Sequence, residues 1–147
     1  MTAIALGALG SATHASGDSS RRFTGVGIGA EYDYASGGNF MPTLSLVQGS
    51  SGFISYFGGI EVGYRTPENS VMARARVEGY FLFFGLYGGV QSNTSTERPA
   101  DYGFPMGIGF CLPKHEYFLR LHVGSIVYTK GHANEFQVSA ALYYPIW

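Results

Sequence analysis

Few residues in this chain are of types that do chemistry. His122, Ser125 and Glu135 lie close together late in the sequence, and a serine hydrolase needs a hydroxyl, an imidazole and an acid within hydrogen-bond reach on one surface. A second set is ionic: Glu31, Asp33, Glu61, Glu78, Glu116 and Glu135 against Arg65, Arg74, Arg76, Arg120 and His122. Such groups in a confined space must pair or stay hydrated. His14, His115, His122 and His132 show no metal-ligand spacing, and the single cysteine, Cys111, excludes a multi-thiolate zinc or iron–sulfur centre. No metal and no cofactor is therefore expected. Glu31, Asp33 and Glu135 are the candidates for a weak divalent-cation site, against the plainer reading of solvated or arginine-paired acids. Gly25-Val26-Gly27-Ile28-Gly29 has the spacing of a phosphate-binding glycine run, but no helical pattern follows it.

The elements that must position these groups form one domain, since 147 residues suffice for one and not two. Charged residues make up 13% of the chain, about half the usual share of roughly 25%, and 22 residues are glycine. The low charge argues against disorder, and the formal net charge of −1 against nucleic-acid binding. Residues 1–15 read as a signal peptide with a truncated start: the short apolar run Ala3–Leu9 lacks a basic leader and ends in small residues near Ala15. Residues 16–22 are then a tail and 23–147 the folded domain. Nowhere do about twenty apolar residues follow one another, which excludes a helical anchor.

From Phe23 onward the dominant pattern has period two, interrupted by turn residues, as in consecutive antiparallel strands. The segments are Phe23–Tyr34, Asn39–Val47, Phe53–Arg65, Ser70–Gly79, Tyr80–Gln91, Asp101–Leu112, Glu116–Tyr128 and Asn134–Ile146. Gly, Pro, Asn and Ser clusters separate them, including Gln48–Gly52, a tight reversal near Gly79 and the polar run Ser92–Ala100. The pattern predicts an all-β, eight-stranded antiparallel up-and-down barrel.

Sorting each strand by parity separates two faces. One carries Val26, Ile28, Leu44, Ile60, Val77, Leu82, Leu86, Ile108, Leu121, Val138 and their neighbours with no charge, and Ser125 falls on it too. The other collects the glycines, the ionic set and Cys111, which is expected to be a buried, inert thiol. A soluble, lipocalin-like calyx would need far more charge on its outer coat. A transmembrane barrel needs an uncharged outer face, and glycine on the inner one leaves room for a few arginines and glutamates. Aromatics of the apolar parity gather at strand ends, as membrane girdles do. Tyr32, Tyr34, Phe40, Tyr64, Tyr102, Phe104 and Phe136 mark one end, and Tyr56, Phe110, Tyr117 and Tyr144 the other.

With strand number, dyad pattern and the ending Ala141-Leu142-Tyr143-Tyr144-Pro145-Ile146-Trp147, the chain resembles the small eight-stranded bacterial outer-membrane barrels of the opacity and adhesin-like class. Such proteins end in an aromatic residue. Trp147 supplies it here, with the apolar alternation one residue out of phase. The resemblance implies a Gram-negative outer-membrane address, contact with outer-membrane lipids and lipopolysaccharide, and insertion by barrel-assembly machinery. It leaves the role open between structure or permeability and surface contact through loop residues such as Arg98 and Lys130. A polar lumen plugged by its own side chains, with Arg74 and Arg76 beside Glu61 and Glu78 at its core, is expected over a porin-like ion path. The runner-up is a lipid A deacylase using His122, Ser125 and Glu135. That family carries a His-x-Ser pair followed by Asn, whereas this chain reads His122-Val123-Gly124-Ser125-Ile126, so no enzyme activity is expected.

Overall fold

The computed structural model describes residues 21–34, 39–66, 69–95, 100–113, 117–129 and 134–146. The expectations for the signal peptide, Glu116, Arg98, Lys130 and Trp147 lie outside the described residues. Eight strands follow in order: β1 (Arg21–Asp33), β2 (Asn39–Ser51), β3 (Ile54–Arg65), β4 (Ser70–Phe81), β5 (Phe84–Ser95), β6 (Asp101–Pro113), β7 (Phe118–Tyr128) and β8 (Glu135–Ile146). Each pairs antiparallel with the next, and β8 returns to β1, so the sheet closes without an edge.

Strand offset fixes the barrel's shape. The register runs from Phe23 to Gly49, Phe57, Glu78, Tyr87, Gly107, Gly124 and Gln137, and arrives at Asp33, ten residues further along β1. Ten residues at ~3.3 Å each, against eight spacings of ~4.8 Å, incline the strands by about 40° to the axis. The β5–β6 ladder skips Gly89 and Val90 opposite Phe104 and Pro105, where proline has no N–H to donate.

The two ends differ. At the turn end, Gly52-Phe53 joins β2 to β3 and Leu82-Phe83 joins β4 to β5; at the opposite, loop end lie Asp33, Asn39, Arg65, Ser70, Ser95, Asp101, Tyr128 and Glu135, where the strands begin or end. Four expected boundaries move. The reversal is at Leu82-Phe83 and not near Gly79, which sits inside β4, because Phe81 pairs with Phe84 and Leu82 takes the left-handed φ of 56° that a two-residue hairpin demands. Leu82 is accordingly a turn residue and not the first wall residue of β5. Gln48–Ser51 and Ser92–Ser95 are strand and not loop, since backbone pairing continues through both. β1 begins at Arg21, not Phe23.

The wall is polarised as the parity requires. Ile28, Leu44, Ile60, Val77, Leu86 and Ile108 point outward and are exposed, Leu44 at 63%. Glu31, Asp33, Glu61, Arg74, Arg120 and His122 point inward and are buried. Among the described residues, Arg22 at the turn end is the one charged side chain shown on the outward parity of a strand. An apolar exterior around an ionic interior is the inside-out arrangement of a transmembrane β-barrel, and the reverse of a ligand-binding calyx.

Candidate functional site

The interior is a stack of side-chain layers. Its position follows from the stagger, which brings residues far apart in sequence to one height. At the loop end Arg65 pairs with Asp33 and, at 3.3 Å, with Glu135. Glu135 also accepts from Tyr128 Oη at 2.8 Å. Below them Arg74 clasps Glu31 with two bonds of 2.7 Å, one to each carboxylate oxygen, the strong bidentate arrangement. Its Nε and Nη2 also donate to Gln91 Oε1 at 3.1 and 2.9 Å, while Gln137 Nε2 donates to Tyr87 Oη at 2.8 Å.

The next layer centres on Glu78. Arg76 Nε lies 2.9 Å from its Oε1, with Arg76 Nη2 donating to Glu61 at 3.1 Å. The other carboxylate oxygen of Glu78 accepts from Tyr80 at 2.7 Å and lies 3.1 Å from His122 Nε2 and 2.7 Å from Arg120 Nη1. The Arg120 guanidinium makes that ion pair without a hydrogen bond, and its central carbon sits over the Tyr143 ring, 3.6 Å from the ring centre, with Phe57 at 5.0 Å.

An aromatic floor closes the turn end. Phe23 stacks on Phe118 at 4.8 Å, and Phe57 packs against both at 5.5 and 6.1 Å. Tyr80, Cys111 and Tyr143 complete this cluster. Between floor and ionic layers, a cavity of about 10 Å³ lies among Ser45, Glu61, Arg76, Glu78 and Tyr143. That is room for about one water molecule.

Glu31, Asp33, Glu61, Arg65, Arg74, Arg76, Glu78, Arg120, His122 and Glu135 thus share one connected interior. Arg76 bridges Glu61 and Glu78, while Arg74 reaches across to Glu31 and approaches Glu61 only to 3.7 Å. Gln91, Gln137 and Ser139 share the interior parity in the sequence and join this network. The inward tyrosines 80, 87, 128 and 143 share it as well, but a tyrosine on either parity of a barrel strand is ordinary, so their role does not stand out in the sequence.

The geometry does not support either of the two alternative readings. His122, Ser125 and Glu135 do not form a triad: His122 is sealed inside with its Nδ1 3.3 Å from Ser139 Oγ, Ser125 is on the outward parity beside Phe136, and Glu135 is engaged by Arg65 and Tyr128 at the loop end. Glu31, Asp33 and Glu135 do not gather around a cation, because each is taken by an arginine. Among the described residues no cluster of His, Cys, Asp and Glu is disposed to hold a metal ion.

Of the proposed interface aromatics, Tyr32, Tyr34, Phe40, Tyr56, Tyr64, Tyr102, Phe104, Phe136 and Tyr144 are exposed on the outer wall. Phe110 and Tyr117 are half-buried, against Phe84 and Tyr144 respectively.

No known protein family matches the sequence, and no curated protein matches it. Solved structures similar in backbone include two transmembrane barrels. One is a de novo designed transmembrane β-barrel, 11% identical, covering 84% of this chain and 95% of its own with a TM-score of 0.47. The other is the Yersinia pestis outer membrane protein Ail in a phospholipid bilayer nanodisc, 8% identical, covering 84% of this chain and all of its own with a TM-score of 0.48.

Proposed function

We propose that the chain is a non-enzymatic barrel of the bacterial outer membrane whose lumen is closed by its own side chains. The observation that carries the location is the apolar outer wall, which among the described residues carries a charge only at Arg22 by the turn end. On β3 the outward residues run from Ile54 to Tyr64, ten steps of ~3.3 Å inclined by about 40°, which gives a height of about 25 Å. That equals the apolar band of a transmembrane barrel, while in water so large a greasy surface would aggregate. Closed backbone pairing leaves no strand edge exposed to hydrocarbon.

The closed lumen is supported by the layers themselves. Each interior arginine has a carboxylate partner, and three phenylalanines cap the turn end. A role in envelope structure or in surface contact follows more readily than solute passage. Outer-membrane lipid and lipopolysaccharide are the partners proposed for wall and rim, with assembly machinery for insertion. The test is reconstitution. The folded protein should partition into detergent, migrate on gels as a heat-modifiable band, and give no steady single-channel conductance in planar bilayers. A monodisperse folded protein in detergent-free buffer would overturn the location, and stable conductance steps would overturn the closed lumen.

A further inference from the structure

The turn end is not uniform, and the non-uniformity has a direction. On β1 and β2 the outward residues nearest this end are polar: Thr24 pairs with Gln48, and Arg22 with Ser50. With the ten-residue stagger shared over eight strands, the residues of β3, β4 and β5 at the same height are Tyr56, Phe81 and Phe84. All three are exposed, Phe84 at 72%. The apolar surface continues beyond them onto the turns, where Phe53, Leu82 and Phe83 are exposed as well.

These turns are joined into one rim. Leu82 N donates to Phe53 O at 3.0 Å, Cys111 N donates to Phe83 O at 2.8 Å, and Phe53 meets Phe81 edge-on at 4.8 Å. At the loop end β5 turns polar, at Ser92 and Thr94, while its neighbours keep apolar outward residues, Tyr64 on β3 and Val71 on β4, as do Tyr32 on β1 and Phe40 on β2. The apolar belt therefore reaches further towards the turn end on β3–β5 than on β1 and β2, by about two residues or ~5 Å. Leu82 adds an independent mark. Its left-handed φ of 56° suits Asn or Gly, and an exposed leucine there is strained whatever surrounds it.

We propose that the Leu82-Phe83 turn and Phe53 contact lipid and not water, so that the barrel leans with its β3–β5 side sunk into the bilayer boundary and the Thr24–Gln48 side at the headgroups. This rests on the membrane reading above. The partner is the acyl-chain and interfacial region of a bilayer, because Phe53, Leu82 and Phe83 are continuous with the apolar wall and, among the described residues, this part of the rim carries no charge.

Nitroxide labels on single cysteines, in a Cys111→Ser background in phosphatidylcholine vesicles, test it. Leu44→Cys reports the mid-wall, Leu82→Cys the turn and Thr24→Cys the opposite side, each read by accessibility to oxygen against a water-soluble nickel chelate. The expected result is preference for oxygen at positions 44 and 82, and a several-fold preference for nickel at 24. Nickel preference at 82 with oxygen preference at 44 overturns the lean and leaves the membrane reading standing, and nickel preference at 44 overturns both. Oxygen preference at both 24 and 82 means a level belt and overturns the lean. Dipolar broadening between labels at 82, with both reagents excluded, means that a second copy and not lipid covers the rim. Should Leu82→Cys fail to show heat-modifiable folding, Phe83→Cys reports the same turn.

Discussion

Replacing Arg74 by methionine is the most severe single test of the interior. Arg74 is fully buried, as is Glu31, and their two 2.7 Å bonds are the closest bidentate contact in the stack. Arg74→Met leaves the Glu31 carboxylate without its cation in a site shielded from water. Breaking such a pair from one side costs about 3–5 kcal/mol. Gln91 softens the loss little, since its Nε2 remains bound to Tyr128 and Asn93. Glu31→Gln strands the arginine less completely, because Glu61 lies 3.7 Å away and Gln91 still accepts from it, and about 2 kcal/mol is expected. The double variant removes both charges, so its cost should fall short of the two singles combined by about 2–3 kcal/mol. Urea unfolding in lipid vesicles, followed by far-ultraviolet circular dichroism, measures all four proteins, with an unchanged m-value as the condition for comparison. Additive costs, or Arg74→Met within about 0.5 kcal/mol of the parent, would refute the claim that this pair acts as a unit in a dry interior.

At the loop end Glu135 is 14% exposed, so Glu135→Gln should cost about 1 kcal/mol or less in the same assay. Leu44→Arg puts a charge in the middle of the wall and should cost about 2–4 kcal/mol in vesicles, whereas Thr24→Arg near the boundary should cost about 0–1 kcal/mol; equal effects would contradict the proposed depth. Glycine replacements should split by face. A Cβ at Gly109 would stand 2.7 Å from Tyr80 Oη, while one at Gly88 meets nothing within 4 Å. Gly109→Ala should therefore destabilise by about 1–3 kcal/mol and Gly88→Ala not at all, as read from urea midpoints. Asn69 has φ 49° and accepts from Tyr64 Oη at 2.7 Å, so Asn69→Ala should lose about 1–2 kcal/mol, the sum of turn strain and one hydrogen bond.

Which residues face outward could be read from the sequence because a wall between hydrocarbon and a packed interior imposes one strict rule on every second residue. Ile28, Leu44, Ile60 and Leu121 obey it without reference to anything distant. The β4–β5 reversal escaped because Leu82-Phe83 contains no turn-forming residue, while Gly79 two positions before Phe81 does resemble one. Ser92–Ser95 misled in the other direction: four small polar residues read as loop until backbone pairing with β4 extends them as strand. Ion-pair partners were legible where strands are adjacent, as for Arg76 and Glu61, which lie on β4 and β3. Arg74 with Glu31 and Arg120 with Glu78 depend on the stagger of the whole cylinder, a quantity that no local pattern contains. The aromatic floor of Phe23, Phe57 and Phe118 sits between these cases, since its parity was readable but its convergence required the same stagger.

The joint between β1 and β8 governs the order of assembly. Even the shortest link of its ladder, Asp33 with Gln137, joins residues about a hundred positions apart, so this joint has a greater loop-closure cost than any hairpin pairing and should form last. Seven hairpin contacts can zip up locally, but until the eighth strand arrives the growing ribbon has two raw borders of unmet N–H and C=O groups, each a template for a neighbouring molecule. Crowding among nascent copies should therefore harm this protein before closure and leave it indifferent afterwards.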